Sequence, residues 1–259
     1  MAEPLLQVTN LSFGWPGQPK LFQQLDLQLQ RGEVLAVLGP NGRGKSTLMQ
    51  LLLGALPVQQ GQVICQRGLG FVPQYFTPPF AYQVRDIVLM GRARHVGLFR
   101  SPSAKDHQLA RQALHSLGML ALAEREFGSL SGGQRQLVLI ARALAMDCEV
   151  LILDEPTSAL DLHHQDKVLT MIDQLAHERQ MAVIFSTHQP NHAHAVADRA
   201  LLLGAAGQHL LGDCQQVLTA ENLSPLFHLP IERVCVAYAG SQMPALVPLY
   251  YSQRRRSGE

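Results

Sequence analysis

The sequence has little of what several protein classes need. Its four cysteines, Cys65, Cys148, Cys214 and Cys235, are scattered and include no C-x-x-C pair. That excludes a disulfide framework and a cysteine zinc site, and leaves reduced thiols expected mostly in the core. No run approaches the roughly 18 apolar residues that cross a bilayer, and the start, Met1 to Leu6, has no basic region ahead of an apolar stretch. The chain is expected neither to be secreted nor to span a membrane by itself. An excess of charge is missing too: 21 Lys and Arg against 20 Asp and Glu leave a net charge of +1. No overall field then steers the protein onto nucleic acid or acidic lipid, and no nucleic-acid partner is expected. Internal repeats, low-complexity segments and sustained heptads are also lacking. The 259 residues, 47% of them hydrophobic, suffice for one large α/β core with an appended subdomain.

What is present is concentrated in three short stretches. The apolar run Val34–Leu38 leads into Gly39, Pro40, Asn41, Gly42, Arg43, Gly44 and Lys45, and then into a helix-like run over Ser46–Leu53. This is the strand, glycine loop and helix order of a P-loop. Glycines let successive backbone N–H groups face one concavity, and the helix start adds partial positive charge, so the β- and γ-phosphates of ATP are expected there. Lys45 supplies a mobile cation, Ser46 is placed to ligate Mg²⁺, and Thr47 is close enough to hydrogen-bond a phosphate.

The second stretch is the apolar run Val150–Leu153 followed by Asp154 and Glu155, which places two carboxylates at the end of a buried strand, where open α/β sheets bind ligands. Asp154 would hold Mg²⁺ through water and Glu155 would polarise the attacking water, the positioning and charge neutralisation that phosphoryl transfer needs. The third is Leu130, Ser131, Gly132, Gly133 and Gln134 at the start of a helix over 134–146, with Ser131 as N-cap and N–H groups of Gly132 and Gly133 open to an anion. One chain already cradles phosphates at Gly39–Thr47, so a second anion site makes sense if it closes on nucleotide held by another copy. A head-to-tail homodimer with two composite sites is expected.

Alternation at Leu25, Leu27 and Leu29 and a turn over 14–17 predict an antiparallel hairpin across Leu5–Leu29. Buried-looking runs at Val34–Leu38, Val150–Leu153, Ala182–Ser186 and Ala200–Leu203, separated by helical stretches, predict a mostly parallel, helix-covered sheet. Residues 75–128 hold helical patterning at Gln83–Arg92 and Ala104–Leu117 and no strand-like run, the mark of an inserted helical subdomain. Residues 1–74 and 129–213 then form the nucleotide-binding core with its β-layer. From 214 to 259 the reading is an extension with one short helix, loops around Pro225, Pro230, Pro244 and Pro248, and a basic tail at Arg254–Arg256.

Taken together, the P-loop at Gly39–Thr47, the loop Leu130–Gln134, the carboxylate strand Val150–Glu155, the loop Ser158–Asp161 and the trio Ser186, Thr187, His188 resemble the ATP-binding cassette (ABC) ATPases over about residues 5–212. The resemblance implies an α/β, RecA-like P-loop NTPase core with an antiparallel β-subdomain and an inserted α-helical subdomain. It also implies that Gln74 senses Mg²⁺ and γ-phosphate, that His188 contacts the γ-phosphate, and that Asp161 bridges the dimer. Trp15, the only tryptophan, falls where the family places an aromatic that stacks on adenine; a plain turn aromatic is the alternative. Arg43 stands where the family usually carries something smaller and is expected to point into solvent; added charge near the phosphates is the alternative.

The apolar and aromatic stretch from Phe71 to Arg92 suggests a docking groove around Gln74, with simple core packing as the alternative. With Val88–Arg92 and the following loop containing His95 and Phe99, it looks like the ATPase subunits of importers for vitamin B12, iron chelates and related metal compounds, most of all a molybdate or tungstate importer. The implied partners are a dimeric polytopic permease and, indirectly, a periplasmic substrate-binding protein. The implied location is peripheral, on the cytoplasmic face of the inner (plasma) membrane. A soluble ABC ATPase acting on ribosomes, DNA or iron–sulfur assembly, or an exporter subunit, is the alternative. His188, His192 and His194 have metal-like spacing but are expected to form a solvated helix start, and His163 and His164 are expected at an exposed helix start with no function.

Overall fold

A computed structural model describes residues 3–66, 68–97, 100–158 and 160–250. The basic run Arg254–Arg256, Phe99 and Ala159 lie outside the described residues. The chain divides into two compact units, Met1–Gln7 with Gln28–Glu33 and Ile64–Phe185, and Val8–Leu27 with Val34–Val63 and Ser186–Glu259.

In the first unit, β5 (Leu69–Val72), β6 (Val150–Leu153) and β7 (Ala182–Thr187) pair in parallel, with Val72 opposite Leu153 and Leu153 opposite Phe185. Every residue of β6 and β7 is buried, as expected of strands covered on both faces. Helices α2 (Val84–Leu89), α3 (Ala93–Val96), α4 (Ala104–Ser116), α5 (Gly132–Leu144) and α6 (Leu162–His177) complete this unit. The helix expected over Gln83–Arg92 is thus shorter, and its last turn, Met90–Arg92, tightens to a 3₁₀ turn. There Gly91 meets α5 so closely that a Cβ would lie 2.1 Å from the Arg142 carbonyl oxygen. The neighbouring Arg92 is buried, donating from Nε to Asp106 at 3.0 Å and from a guanidinium nitrogen to the Ala145 carbonyl at 2.8 Å. Bonds from Ser103, which shares a capping box with Asp106 at the start of α4, and then the Arg92 partner hold the Asp106 carboxyl down to about 2. Removing one partner of a buried pair strands the other charge. Arg92→Met is therefore expected to lower the melting temperature by on the order of 5–10 °C in a calorimetric scan; an unchanged value would show that the pair holds nothing together.

In the second unit, β1 (Leu6–Phe13) and β2 (Phe22–Leu29) supply most of a sheet of order β2, β1, β4, where β4 is Gln60–Cys65. The buried run β3 (Val34–Leu38) pairs in parallel with β8 (Arg199–Leu203), which pairs antiparallel with β9 (His209–Asp213). Helix α1 (Lys45–Leu52) follows β3, and α7 (Pro190–Val196), α8 (Cys214–Val217) and α9 (Ala220–Phe227) lie further along the chain. The C-terminal extension differs from the expected single helix and loops. It holds α8, α9 and a hairpin of β10 (Ile231–Tyr238) and β11 (Ser241–Pro248), with Cys235 opposite Pro244. A two-stranded ribbon has two free edges, so prolines that would break a central strand are tolerated. Cys235 is exposed there, outside any core, whereas Cys214 is buried and burial pushes its thiol up to about 12. Among the described residues no helix is long and apolar enough to cross a membrane.

Candidate functional site

The phosphate loop belongs to the second unit. Gly42 and Gly44 adopt φ of +79° and +93°, the left-handed region in which a side chain is strained. Gly39 is needed for space, since a Cβ there would meet the Leu203 carbonyl oxygen at 2.8 Å. Lys45 begins α1 and is buried, its Nζ 2.9 Å from the Gly39 carbonyl and 3.4 Å from that of Pro40. Ser46 and Asn41 are exposed and Thr47 is half-buried. Arg43, expected to point into solvent, is half-buried and lines an open cavity of about 440 Å³ with His209, Glu221 and His228. Trp15 packs edge-to-face on Phe13, centroids 5.3 Å apart, and remains 40% exposed, so part of its ring is open to a ligand.

The carboxylates belong to the first unit. Asp154 is buried at the end of β6, with its N–H bonded to the Val72 carbonyl at 2.9 Å. Glu155 follows with φ +45°, an uncommon conformation for a residue with a side chain. The turn is closed by Ser158, whose N–H and hydroxyl both donate to the Glu155 carbonyl, at 3.0 and 2.8 Å. A strained backbone of this kind costs on the order of 1–3 kcal/mol and persists where the surroundings over-determine it. Gln74 donates from Nε2 to the Glu155 carboxylate at 3.1 Å, so two residues 81 apart in sequence meet. The segment carrying Gln74 is anchored by Phe76, which packs edge-to-face on Phe127 at 5.8 Å and carries the Arg142 guanidinium 4.4 Å above its ring. Burial works against the charge of Arg142, and the ring face offsets part of that cost. Tyr75 and Phe80 stay exposed, at 80% and 72%, and a cavity of about 600 Å³ lies beside α2 and α3, lined by Leu89, Met90, Val96 and Pro102. Within the stretch Phe71–Arg92, Tyr75, Phe80 and Met90 thus turn apolar surface outward.

In the same unit Ser131 caps α5 reciprocally with Gln134: the Gln134 N–H donates to Ser131 Oγ at 3.3 Å and the Ser131 N–H to Gln134 Oε1 at 3.1 Å. Gly132 is exposed and Gly133 buried. Asp161 caps α6 and is exposed; the His164 N–H and ring hold its carboxyl below the usual carboxylate range. His164, given no function above, is half-buried against Gly133. No sequence pattern signalled this, because the contact joins residues 31 positions apart.

His188, in the second unit, is exposed between β7 and α7. The solvated helix start expected there is wrong for His192, which is buried on α7 because its face packs inward. Burial first, and then the neighbouring His188, hold the His192 ring below its ordinary value of 6.5. A depressed histidine is protonated more readily in the unfolded chain, so its contribution to stability is present above about pH 6.5 and is lost as the pH falls. The melting temperature is expected to fall between pH 7.5 and 5.5, and to fall less in His192→Gln; equal slopes would remove His192 as a source.

A family model described as "ABC transporter" matches residues 22–158. The chain is 51% identical over 245 residues to the molybdate import ATP-binding protein MolC of Haemophilus influenzae, covering 95% of this chain and 96% of that protein. It is 39% identical over 245 residues to the hemin import ATP-binding protein HmuV of Pseudomonas aeruginosa, with 88% and 94% covered. Among solved structures it matches a chain of a metal-chelate type ABC transporter in an inward-facing conformation, with a TM-score of 0.93, 49% identity, and 96% and 99% of the two chains covered.

Proposed function

The chain belongs to the ABC transporter family as an ATP-binding, ATP-hydrolysing subunit, and from that premise we propose that it powers import of a metal-containing compound or oxyanion. Molybdate or tungstate is the first candidate, and iron chelates or cobalamin-like compounds are the wider class. The observation that carries the import reading is likeness over almost the whole chain to a molybdate import protein, 51% over 95% of its length. At that coverage most of the C-terminal extension is included.

In this reading the loop Gly39, Asn41, Gly42, Gly44, Lys45, Ser46 and Thr47 binds the phosphates of ATP, and Trp15 stacks on its adenine. Ser46, Gln74 and Asp154 are assigned to Mg²⁺; a buried carboxylate, an amide and a hydroxyl are the hard oxygen donors this ion takes. Bound there, Mg²⁺ would neutralise developing phosphate charge. Glu155 accepts a proton from the attacking water, held in place by its turn and by Gln74, while His188 contacts the γ-phosphate. Ser131, Gly132, Gly133, Gln134 and Asp161 serve nucleotide carried by a second copy, so ATP favours a closed homodimer and hydrolysis releases it. Closure does work on a dimeric polytopic permease, whose cytoplasmic helices dock on the apolar surface near Gln74 and α2. The chain sits peripherally on the cytoplasmic face of the inner membrane, and a periplasmic binding protein delivers the cargo.

Affinity purification of the tagged chain from gently solubilised host membranes is expected to recover a polytopic permease in stoichiometric amount. Reconstituted in vesicles, that complex is expected to take up labelled molybdate with ATP. Recovery of ribosomal, DNA-bound or scaffold proteins alone would sink the transport reading and leave the ATPase standing.

A further inference from the structure

Gly133 poses a question that the backbone does not answer. It lies in the first turn of α5 and is absent from the glycines with positive φ, so no left-handed conformation requires it. A glycine inside a helix is less favourable than alanine. What excludes a side chain is His164: a Cβ on Gly133 would lie 2.1 Å from His164 Cδ2, 2.5 Å from Cγ and 2.9 Å from Cβ. The root of the ring is involved, so no small rotation of a flexible tip would relieve the overlap. On its other side the ring grips Asp161. Nδ1 lies 2.8 and 2.9 Å from the two carboxylate oxygens, and the His164 backbone N–H donates to Oδ1 at 2.9 Å. An ionised carboxylate only accepts, so Nδ1 carries the proton. The backbone bond alone would make an ordinary N-cap; the ring bonds fix the direction of the carboxylate as well.

We infer that His164 is a positioning residue of the composite site, a bracket that sets Asp161 relative to the loop Ser131–Gln134. Both groups are assigned above to nucleotide held by a second copy, and the inference rests on that assignment. The bracket acts on closure of the dimer and leaves ATP binding by the single chain untouched. A small misplacement of groups that must converge on one transition state costs tenfold or more.

The test measures steady-state kcat and ATP affinity for the full chain in complex with its permease, for three variants that keep the wild-type melting temperature. His164→Phe retains a ring against Gly133 and loses the donor; kcat is expected to fall about tenfold or more with unchanged ATP affinity. His164→Asn restores a donor near the Nδ1 position and is expected to stay within about threefold of wild type. Asp161→Ser keeps a helix cap, removes the carboxylate, and is expected to be as slow as His164→Phe. Wild-type turnover in His164→Phe beside a slow Asp161→Ser would overturn the bracket alone. His164→Asn as slow as His164→Phe would overturn it too, by showing that the ring and not its bond to Asp161 matters. Wild-type turnover in Asp161→Ser would overturn the assignment of Asp161 and the bracket with it. If His164→Phe does not fold, the His164→Asn and Asp161→Ser pair decides on the same grounds.

Discussion

Glu155→Gln is expected to slow ATP hydrolysis by about 10²–10⁴-fold, the range for loss of a general base, while ATP still binds. The geometry around the residue explains why the two effects separate. Glutamine is isosteric, its side-chain oxygen can still accept from Gln74 Nε2, now at 3.1 Å from the carboxylate, and the turn closed by Ser158 acts on the main chain alone. Only the negative charge and the proton affinity are lost. ATP that binds and is not consumed should hold two copies together, so size-exclusion chromatography with ATP is expected to show a dimer for the variant and mostly monomer for the wild type. Near-normal turnover in Glu155→Gln would remove Glu155 as the base. Slow turnover without an ATP-dependent dimer would keep the base and remove the closed-dimer mechanism.

Much of the fold was legible because burial on both faces leaves a dense sequence signal. Val34–Leu38 and Val150–Leu153 are apolar at every position, and both are strands. Strands with weaker signals escaped. β5 is four residues with a glycine, Leu69–Val72, and β9, His209–Asp213, is a half-exposed edge strand whose composition reads as a loop. β4, Gln60–Cys65, has three exposed residues in its first half and gains its place by pairing rather than by apolar content. In the extension, Pro244 and Pro248 masked the strand β11, which tolerates them because both strands of the hairpin are edges.

The candidate site divides along the same line. Glycine loops and a carboxylate pair beside a strand are local patterns, so those residues could be named from spacing, whereas Trp15, Gln74, Asp161 and His188 were named through the family resemblance. Contacts between distant segments could not. The Gln74 bond to Glu155 closes over 81 residues, and the fit of His164 against Gly133 depends on the approach of α6 to α5. Backbone strain is equally silent in sequence: nothing about Glu155 as a residue type announces φ of +45°. His192 was misplaced for a related reason, since a solvated helix start was assigned to it, and the inward face of α7 buries it.

Lys45→Met should show the complementary defect, loss of binding rather than of chemistry. Lys45 is 6% exposed, and its Nζ is held by the carbonyl oxygens of Gly39 and Pro40 at 2.9 and 3.4 Å, at the mouth of the loop assigned to the phosphates. A charge-assisted hydrogen bond to phosphate contributes about 1.5–3 kcal/mol, so ATP affinity is expected to fall by about 10–10²-fold. Methionine matches the length and volume of the lysine stem, so the helix α1 should persist. Arginine would be no substitute, because its planar fork does not fit a buried position shaped for a compact ammonium. Without bound ATP no closed dimer should form, and adding Glu155→Gln to Lys45→Met should not restore one. Titration with a fluorescent nucleotide measures the loss directly. If Lys45→Met bound ATP as tightly as the wild type, the loop Gly39–Thr47 would not be the phosphate site, and the glycines with φ of +79° and +93° would need another explanation.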